Sequence, residues 1–471
     1  MIVWYRLRLA LALATLLPAA TAHATPVLDG LQDPAFGVAG RVIVDVSSQS
    51  LDGEYASAIA EAPSGVLYIG GGNANTGRFV IARTSAQGVR DLGFGTGGLA
   101  RDRPSGDLNS PHHLYALAVQ ADGKPVAAGS ALTGVNSDVV ICRYNVAGNL
   151  DSSFGGDGCV RHALDQIAGG RDAAYALTLL PDGKFLLAGA VETALHNGGE
   201  SEGLLMRLNA DGGLDGSFGV GGLRTLSVQN GTTSISGLVR GPDGSLYVTG
   251  SYAAPASPFN RERFVAKYSA NGALIAAFGS GGVSTLSFDD YVSGTTSNDL
   301  PANILLDSQG RVYACGASRR DGPVLVAVAI ARYTPSGQLD SSFGVGGRIY
   351  RSFNDLNDVS YAQDCALQRD RLVVAMHTGS VAVAGSFALG LMRFLDDGST
   401  DPEFGAGGSI NYPLDIGGAG VGHEISGRVL VQGPHLLLMG SASPQNPCCN
   451  GPYSYAVVRA LGDRIYGDGY E

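Results

Sequence analysis

The chain has 471 residues, 70 of them glycine, with 45% hydrophobic residues, 15% charged residues and a net charge of −11. That length is too great for one ordinary core but suits a long closed array of repeats. The acidic balance excludes a basic surface for nucleic acid or an anionic membrane.

At the N-terminus, Arg6 and Arg8 precede an apolar run from Leu9 to Ala20 and the small-x-small triplet Ala22-His23-Ala24. This is the pattern of a signal peptide, residues 1–24, cut after Ala24. Its removal takes two cations and no acid, so −11 becomes −13. No cysteine follows the run where a lipoprotein needs one, and no later stretch is long and apolar enough to span a bilayer. An exported chain is expected, periplasmic or extracellular, without membrane insertion.

From residue 25 onward one motif recurs. Phe36, Phe94, Phe154, Phe218, Phe278, Phe343 and Phe404 each precede a glycine at intervals of 58 to 65 residues, and Tyr466-Gly467 is a degenerate eighth copy. Asp33, Asp91, Asp151, Asp215, Asp340, Asp401 and Asp463 stand three positions earlier; Ile275 is the exception. Glycines after the aromatic permit positive φ, and the carboxylate can accept backbone N–H bonds in the turn. Eleven residues before the second to seventh Phe come Arg83, Arg143, Arg207, Lys267, Arg332 and Arg393. An Arg–Asp contact within each repeat follows. Groups repeated at every copy, such as Asp91 with Phe94 or Asp340 with Phe343, read as structural boxes, not as catalytic residues.

Between boxes lie four short runs rich in Val, Ile, Leu, Tyr and Ala; in the first repeat they are Arg41–Val46, Tyr55–Glu61, Val66–Gly70 and Arg78–Arg83. Turn pairs such as Asp122-Gly123, Asp182-Gly183 and Asp243-Gly244 separate the second run from the third, a strong hairpin signal. Nothing reads as a long amphipathic helix. Four antiparallel strands in about 60 residues, seven times, predict an all-β fold, a seven-bladed β-propeller of four-stranded antiparallel blades. The competing solenoid needs no two-residue hairpins.

Small alternating residues, as in Tyr115-Ala116-Leu117-Ala118-Val119, place the second run innermost. On this phasing the blades span about 53–103, 112–164, 173–228, 232–288, 300–353, 360–414 and 423–460. The last lacks an outer strand. The N-terminal box and strand, 31–46, form an outer strand without a blade, so 41–46 completes blade 7 and closes the ring. Residues 461–471 are a tail. One domain, 25–471, results, and a monomer is expected.

An exported chain can keep disulfides. The phasing favours Cys142–Cys159, on adjacent strands, and Cys315–Cys365, on inner strands of neighbouring blades. Cys448-Cys449 could pair with each other or elsewhere.

The Asp-Gly hairpins and the boxes emerge on one monotonous face. The opposite face carries loops that differ in every blade, where binding usually lives. His112, His113, Arg261, Arg263, Arg319 and His423 are its candidate ligand-binding residues. None of its His or acidic groups shows metal-ligand spacing, and no nucleophile elbow, P-loop or dinucleotide fingerprint occurs. No metal or cofactor is implied.

The unit Leu-Asp-x-Ser-Phe-Gly-x-Gly-Gly, then a strand, then Tyr-Ala-Leu-x-Leu-x-Pro-Asp-Gly-Lys, an Ala-Gly ending and Arg-Tyr-Asn-x-x-Gly, resembles the delta-60 repeat of exported bacterial proteins. Ala174–Gly189, Arg207–Gly222, Tyr115–Gly129 and Arg332–Gly347 carry it. It departs from the pattern at Ile275, at Arg369-Asp370, where the hairpin glycine is missing, and at Tyr466. The resemblance implies a propeller-like fold and export, and no enzyme activity. The expected function is therefore non-enzymatic: a binding scaffold for a glycan, peptide or envelope protein through the variable loops. The alternative is an exported enzyme of lyase or glycosidase type with its site at the central channel mouth.

Overall fold

The computed structural model describes residues 29–46, 54–73, 77–104, 111–134, 136–164, 167, 169–194, 200–255, 260–289, 297–320, 325–353, 358–380, 387–414, 423–443 and 454–462. The leader, Cys448-Cys449 and the Tyr466 box lie outside them.

Among the described residues, twenty-eight strands form five four-stranded sheets and one of eight strands. The larger sheet divides into two four-stranded halves joined by one parallel pair, Val326 with Val359. All other strand pairing is antiparallel. In the first group the order is Glu54–Glu61, Leu67–Asn73, Phe79–Thr84 and Leu99–Asp102. The next five groups repeat this order, so the box lies between the third and fourth strands of each. Their leading strands are His112–Val119, Ala173–Leu179, Thr232–Arg240, Ser297–Leu306 and Asp358–Gln368. The seventh group begins His423–Gln432, His435–Ser443 and Ser454–Leu461, and its fourth strand is Arg41–Asp45.

That last pairing is antiparallel and in continuous register, Arg41 opposite Val458 through to Asp45 opposite Ser454. Each leading strand packs on the next, and the seventh packs on the first. Phe36, Val42 and Val44 share a core with Ile69 and Val80 of the first group and with Leu437 and Met439 of the seventh. The middle strands are buried on both sides because each group is covered by a neighbour on either face. Pro125–Thr133, for example, is buried from Pro125 through Ala131.

The boxes are built alike. Asp151 Oδ1 accepts Ser153 N at 3.1 Å and Ser153 Oγ at 2.6 Å, which sets the turn. Its Oδ2 accepts Arg143 Nε at 2.9 Å and pairs with Lys124 Nζ at 3.0 Å. The Arg143 guanidinium lies 4.8 Å above the buried Phe154 ring and also donates to Ala210 O of the next group. Each box thus ties its own strands together and reaches the following group. The Asp151 carboxyl is held well below the usual range, first by the Ser153 hydroxyl and then, against the opposing effect of burial, by Lys124. Arg207–Asp215, Arg332–Asp340 and Arg393–Asp401 repeat the pair at 2.7, 2.8 and 2.8 Å. Where Ile275 removes the acid, Lys267 lies 4.7 Å over the Tyr247 ring instead.

Arg459 extends this pattern across the chain ends. It donates to Asp33 Oδ2 at 2.8 Å, lies 4.8 Å over Phe36 and donates to Ala86 O at 3.0 Å. The first box therefore completes the seventh group, with its cation at the far end of the sequence. Asp29 adds a buried pair with Arg393 at 2.8 Å.

Cys142 and Cys159 are directly opposed and bonded, with Cα atoms 4.1 Å apart. Cys315–Cys365, Cα atoms 6.3 Å apart, joins the second strand of the fifth group to the leading strand of the sixth. This is the pairing expected, between inner strands of neighbouring groups. Two disulfides mark a chain that matures in an oxidising compartment. Among the described residues no helix is long and apolar enough to cross a membrane.

Candidate functional site

Every leading strand carries a register shift against its second strand at the same height. The shifts fall at Ala56/Ala58, Leu114/Ala116, Ala174/Ala176, Ile235/Gly237, Pro301/Asn303, Ala362/Asp364 and Ile425/Arg428. A β-bulge leaves one residue unpaired and re-aims its side chain. Here the extra residues are Ser57, Tyr115, Tyr175, Ser236, Ala302 and Gln363 in the first six groups.

In the first five groups glycine on the second strand makes room for the bulge; in the sixth, Met376 stands at that position. A Cβ on Gly129 would stand 1.8 Å from His113 O; on Gly189, 1.9 Å from Ala173 O; on Gly250, 1.9 Å from Ser234 O. In each case the carbonyl belongs to the residue two before the bulged one. The Ala-Gly ending of the repeat is therefore the partner of a bulge one strand away.

The bulges surround a cavity of about 290 Å³. Ser57, Tyr115, Tyr175, Ser236, Ala302 and Gln363 line it, with Leu300, Pro301, Tyr361, Ala362 and Arg428. All seven leading strands contribute. The Tyr115 and Tyr175 rings meet edge to face at 5.0 Å. Tyr361 stacks on His377 at 5.1 Å with planes 7° apart, and His377 meets Phe387 at 5.9 Å.

Arg428 is the only charged residue among the described lining. Its Nε donates to Ser57 O at 2.8 Å and its Nη1 to Gln363 O at 2.7 Å, so it bridges the first and sixth groups. Next to Gln363, Asp364 is buried. It accepts from Asn303 Nδ2 at 2.6 Å, Cys365 N at 2.8 Å and Val429 N at 3.1 Å, and so ties three leading strands together. Burial pushes its pKa up; Arg428 opposes this.

The phenols are neutral. Burial, with the neighbouring Tyr175, pushes Tyr115 up to about 12. Burial also raises Tyr175 and Tyr361; Arg261 works against the first shift and Arg263 with Arg319 against the second. His113 stacks on Tyr115 at 5.8 Å, and burial lowers its pKa, so its imidazole is neutral at pH 7.

The sequence-derived candidates are thus divided. His113 touches a cavity-lining ring, and Arg261 and Arg319 act on two others. His112 is wholly buried. Arg263 is also buried and donates to Ala329 O at 2.7 Å and Ala317 O at 2.5 Å while lying 5.1 Å over Phe288. It braces the fifth group and is not placed to meet a ligand. His423 begins its strand opposite Ser443, and its side chain is outside the described residues. Tyr115, Tyr175, Tyr361, Gln363 and Arg428 were not singled out from sequence. The signal that finds Tyr115 and Tyr175 is the glycine across the sheet; Gln363 has no such signal, because Met376 stands opposite Ala362. Among the described residues no cluster of three or more His, Cys, Asp or Glu could hold a metal.

Residues 120–154, 180–218 and 310–343 match the family model described as "Domain of unknown function (DUF5122) beta-propeller". These matches and the four-stranded groups place the chain in the class of β-propeller repeat proteins. No curated protein sequence matches it. Among solved structures it is similar to the polysaccharide lyase Uly1, at 9% identity and a TM-score of 0.51 over 90% of this chain and 98% of that one. Weaker likenesses are the phage phi92 endosialidase (9% identity, TM-score 0.45, 92% and 71% covered) and Trypanosoma rangeli sialidase in complex with sialic acid (10%, 0.41, 90% and 59%). At such identities the first likeness speaks for the fold alone.

Proposed function

We propose that residues 25–471 form a seven-bladed propeller of the delta-60 repeat type, sealed by Arg41–Asp45. It acts on an acidic polysaccharide at the axial cavity, by elimination and outside the cytoplasm. The register of Arg41–Asp45 on Ser454–Leu461 and the packing of the seventh leading strand on the first support the ring. This enzyme reading replaces the expectation of a binding scaffold alone.

The observation that carries it is the cavity lining: neutral phenols, hydroxyls, an amide and one guanidinium, with no carboxylate among the described residues. Most glycosidases need two carboxyl groups flanking the bond, roughly 5 to 10 Å apart. Elimination needs instead a cation to neutralise a uronate carboxylate and a neutral base to take the proton next to it. Arg428 supplies the first. His113, neutral and stacked on Tyr115, supplies the second. The proton leaves the carbon beside the carboxylate, the electron pair forms a double bond, and the glycosidic C–O bond breaks. The departing oxygen takes up a proton from water, and His113 returns the proton it removed to solvent. The fold of a polysaccharide lyase over 98% of that chain is consistent with this.

The test is incubation of the purified mature chain with pectic, alginate, glucuronan and glycosaminoglycan polymers, read by ultraviolet absorbance of the unsaturated product. Product from at least one is expected. Binding without product would return the chain to the scaffold reading; neither binding nor product would remove the glycan reading.

A further inference from the structure

We infer that the substrate of the proposed site is an extended acidic chain, held over the sixth group along a radial aromatic row, and not a short saccharide confined to the cavity. This rests on the proposed function above.

The row begins at the cavity. Tyr361, on the leading strand, lines it. Its register partner on the second strand is His377, which it stacks on. Phe387, immediately before the third strand, meets the His377 ring from the outside. The three rings therefore step outward across three successive positions of one group, on the variable-loop side where Arg371–Ser380 ends. All three are part-exposed.

Such rings present apolar flanks with polar edges, the surface that suits a sugar with one C–H face and a hydroxyl rim. On the first group the second-strand position matching His377 is Gly72, its third-strand partner Phe79 matches the buried Leu389, and the position matching Phe387 is Gly77, so no ring row continues outward there. The second and third groups are different again: His113 and Tyr115 of the second and Tyr175 of the third run around the cavity wall and not outward. The leading strands of the second and sixth groups are separated by those of the first and seventh on one side and of the third, fourth and fifth on the other. The aromatic wall thus faces the inner end of the row across the cavity. A chain lying on the row delivers one sugar between Tyr361, Arg428 and Tyr115, while its remaining sugars stay on His377 and Phe387. Remote contacts of this kind raise the turnover of long substrates over short ones.

The experiment uses the mature chain with homouronate oligomers of graded length, from dimer to octamer, in galacturonate, glucuronate and mannuronate series. Affinity is measured by calorimetry and turnover by unsaturated product. For the wild type, affinity should rise with length. His377→Ala and Phe387→Ala should each lose roughly tenfold on the octamer, equivalent to about 1.4 kcal/mol, with the dimer unchanged. His377→Phe, which keeps a ring, should restore octamer binding; this separates the row from a folding defect. Equal affinity for dimer and octamer, or octamer binding untouched in both alanine variants, would overturn the row and leave the proposed function standing. Failure of the wild type on every oligomer and every polymer would overturn both.

Discussion

The two ends of this molecule use repetition in opposite ways. At the boxes the device and the residue both repeat: a cation over a phenylalanine, bonded to the aspartate three positions before it, in six of the seven groups. At the cavity only the device repeats. In the first five groups a glycine on the second strand admits a bulge on the first, in the sixth Met376 stands at that place, and the bulged residue changes from Ser57 to Tyr115, Tyr175, Ser236, Ala302 and Gln363. The boxes hold groups together, and the one that departs, at Ile275, keeps Phe278 buried with Lys267 over Tyr247 instead. The bulges aim side chains at one point, and what they aim is free to differ. A constant frame with a varied lining is what a single axial binding site on a repeat scaffold requires.

Substitutions sharpen this contrast. The largest effect is expected at Gly129, where an added Cβ meets an inner-strand carbonyl that cannot move aside. Gly129→Ala should destabilise the chain by about 4 kcal/mol in chemical unfolding, as overpacking against backbone does at its worst. Gly97→Ala, at a box tip with nothing within 4 Å and φ of +62°, should cost only about 1 kcal/mol of backbone strain. If the two cost the same, the bulge is not held by that glycine.

Next comes the box that spans the chain ends. Arg459→Met leaves the nearly buried Asp33 without its guanidinium and should cost about 3 kcal/mol, the scale for breaking a buried pair. Arg83→Met, at a pair whose aspartate side chain is 37% exposed, should cost about 1 kcal/mol or less. Equal losses would mean that the joint between the ends is no more critical than any other box.

Much of the frame was legible in the chain. Period-two runs, Asp-Gly hairpins and a strand without a group gave the strand order and the Arg41–Asp45 pairing. Arg459 escaped notice because its phenylalanine and aspartate lie at the other end of the sequence, so no fixed offset connects them. Tyr466, read as a degenerate eighth copy, falls outside the described residues. The cavity was harder to read. Bulges shift register by one, so Tyr115 and Tyr175 look like ordinary members of an alternating packed strand. Selecting residues by chemical type then favoured His112 and Arg263, which burial takes out of reach. Burial and bulge position are properties of pairing between strands, and one strand's sequence carries them only through the glycine opposite.

The most direct measurement is a crystal structure of the mature chain soaked with a homouronate oligosaccharide. The account predicts a sugar in the axial cavity with its carboxylate on Arg428 and its ring between Tyr115 and Tyr361. A saccharide bound only at the boxes or on the outer strands, with the cavity holding solvent alone, would contradict it.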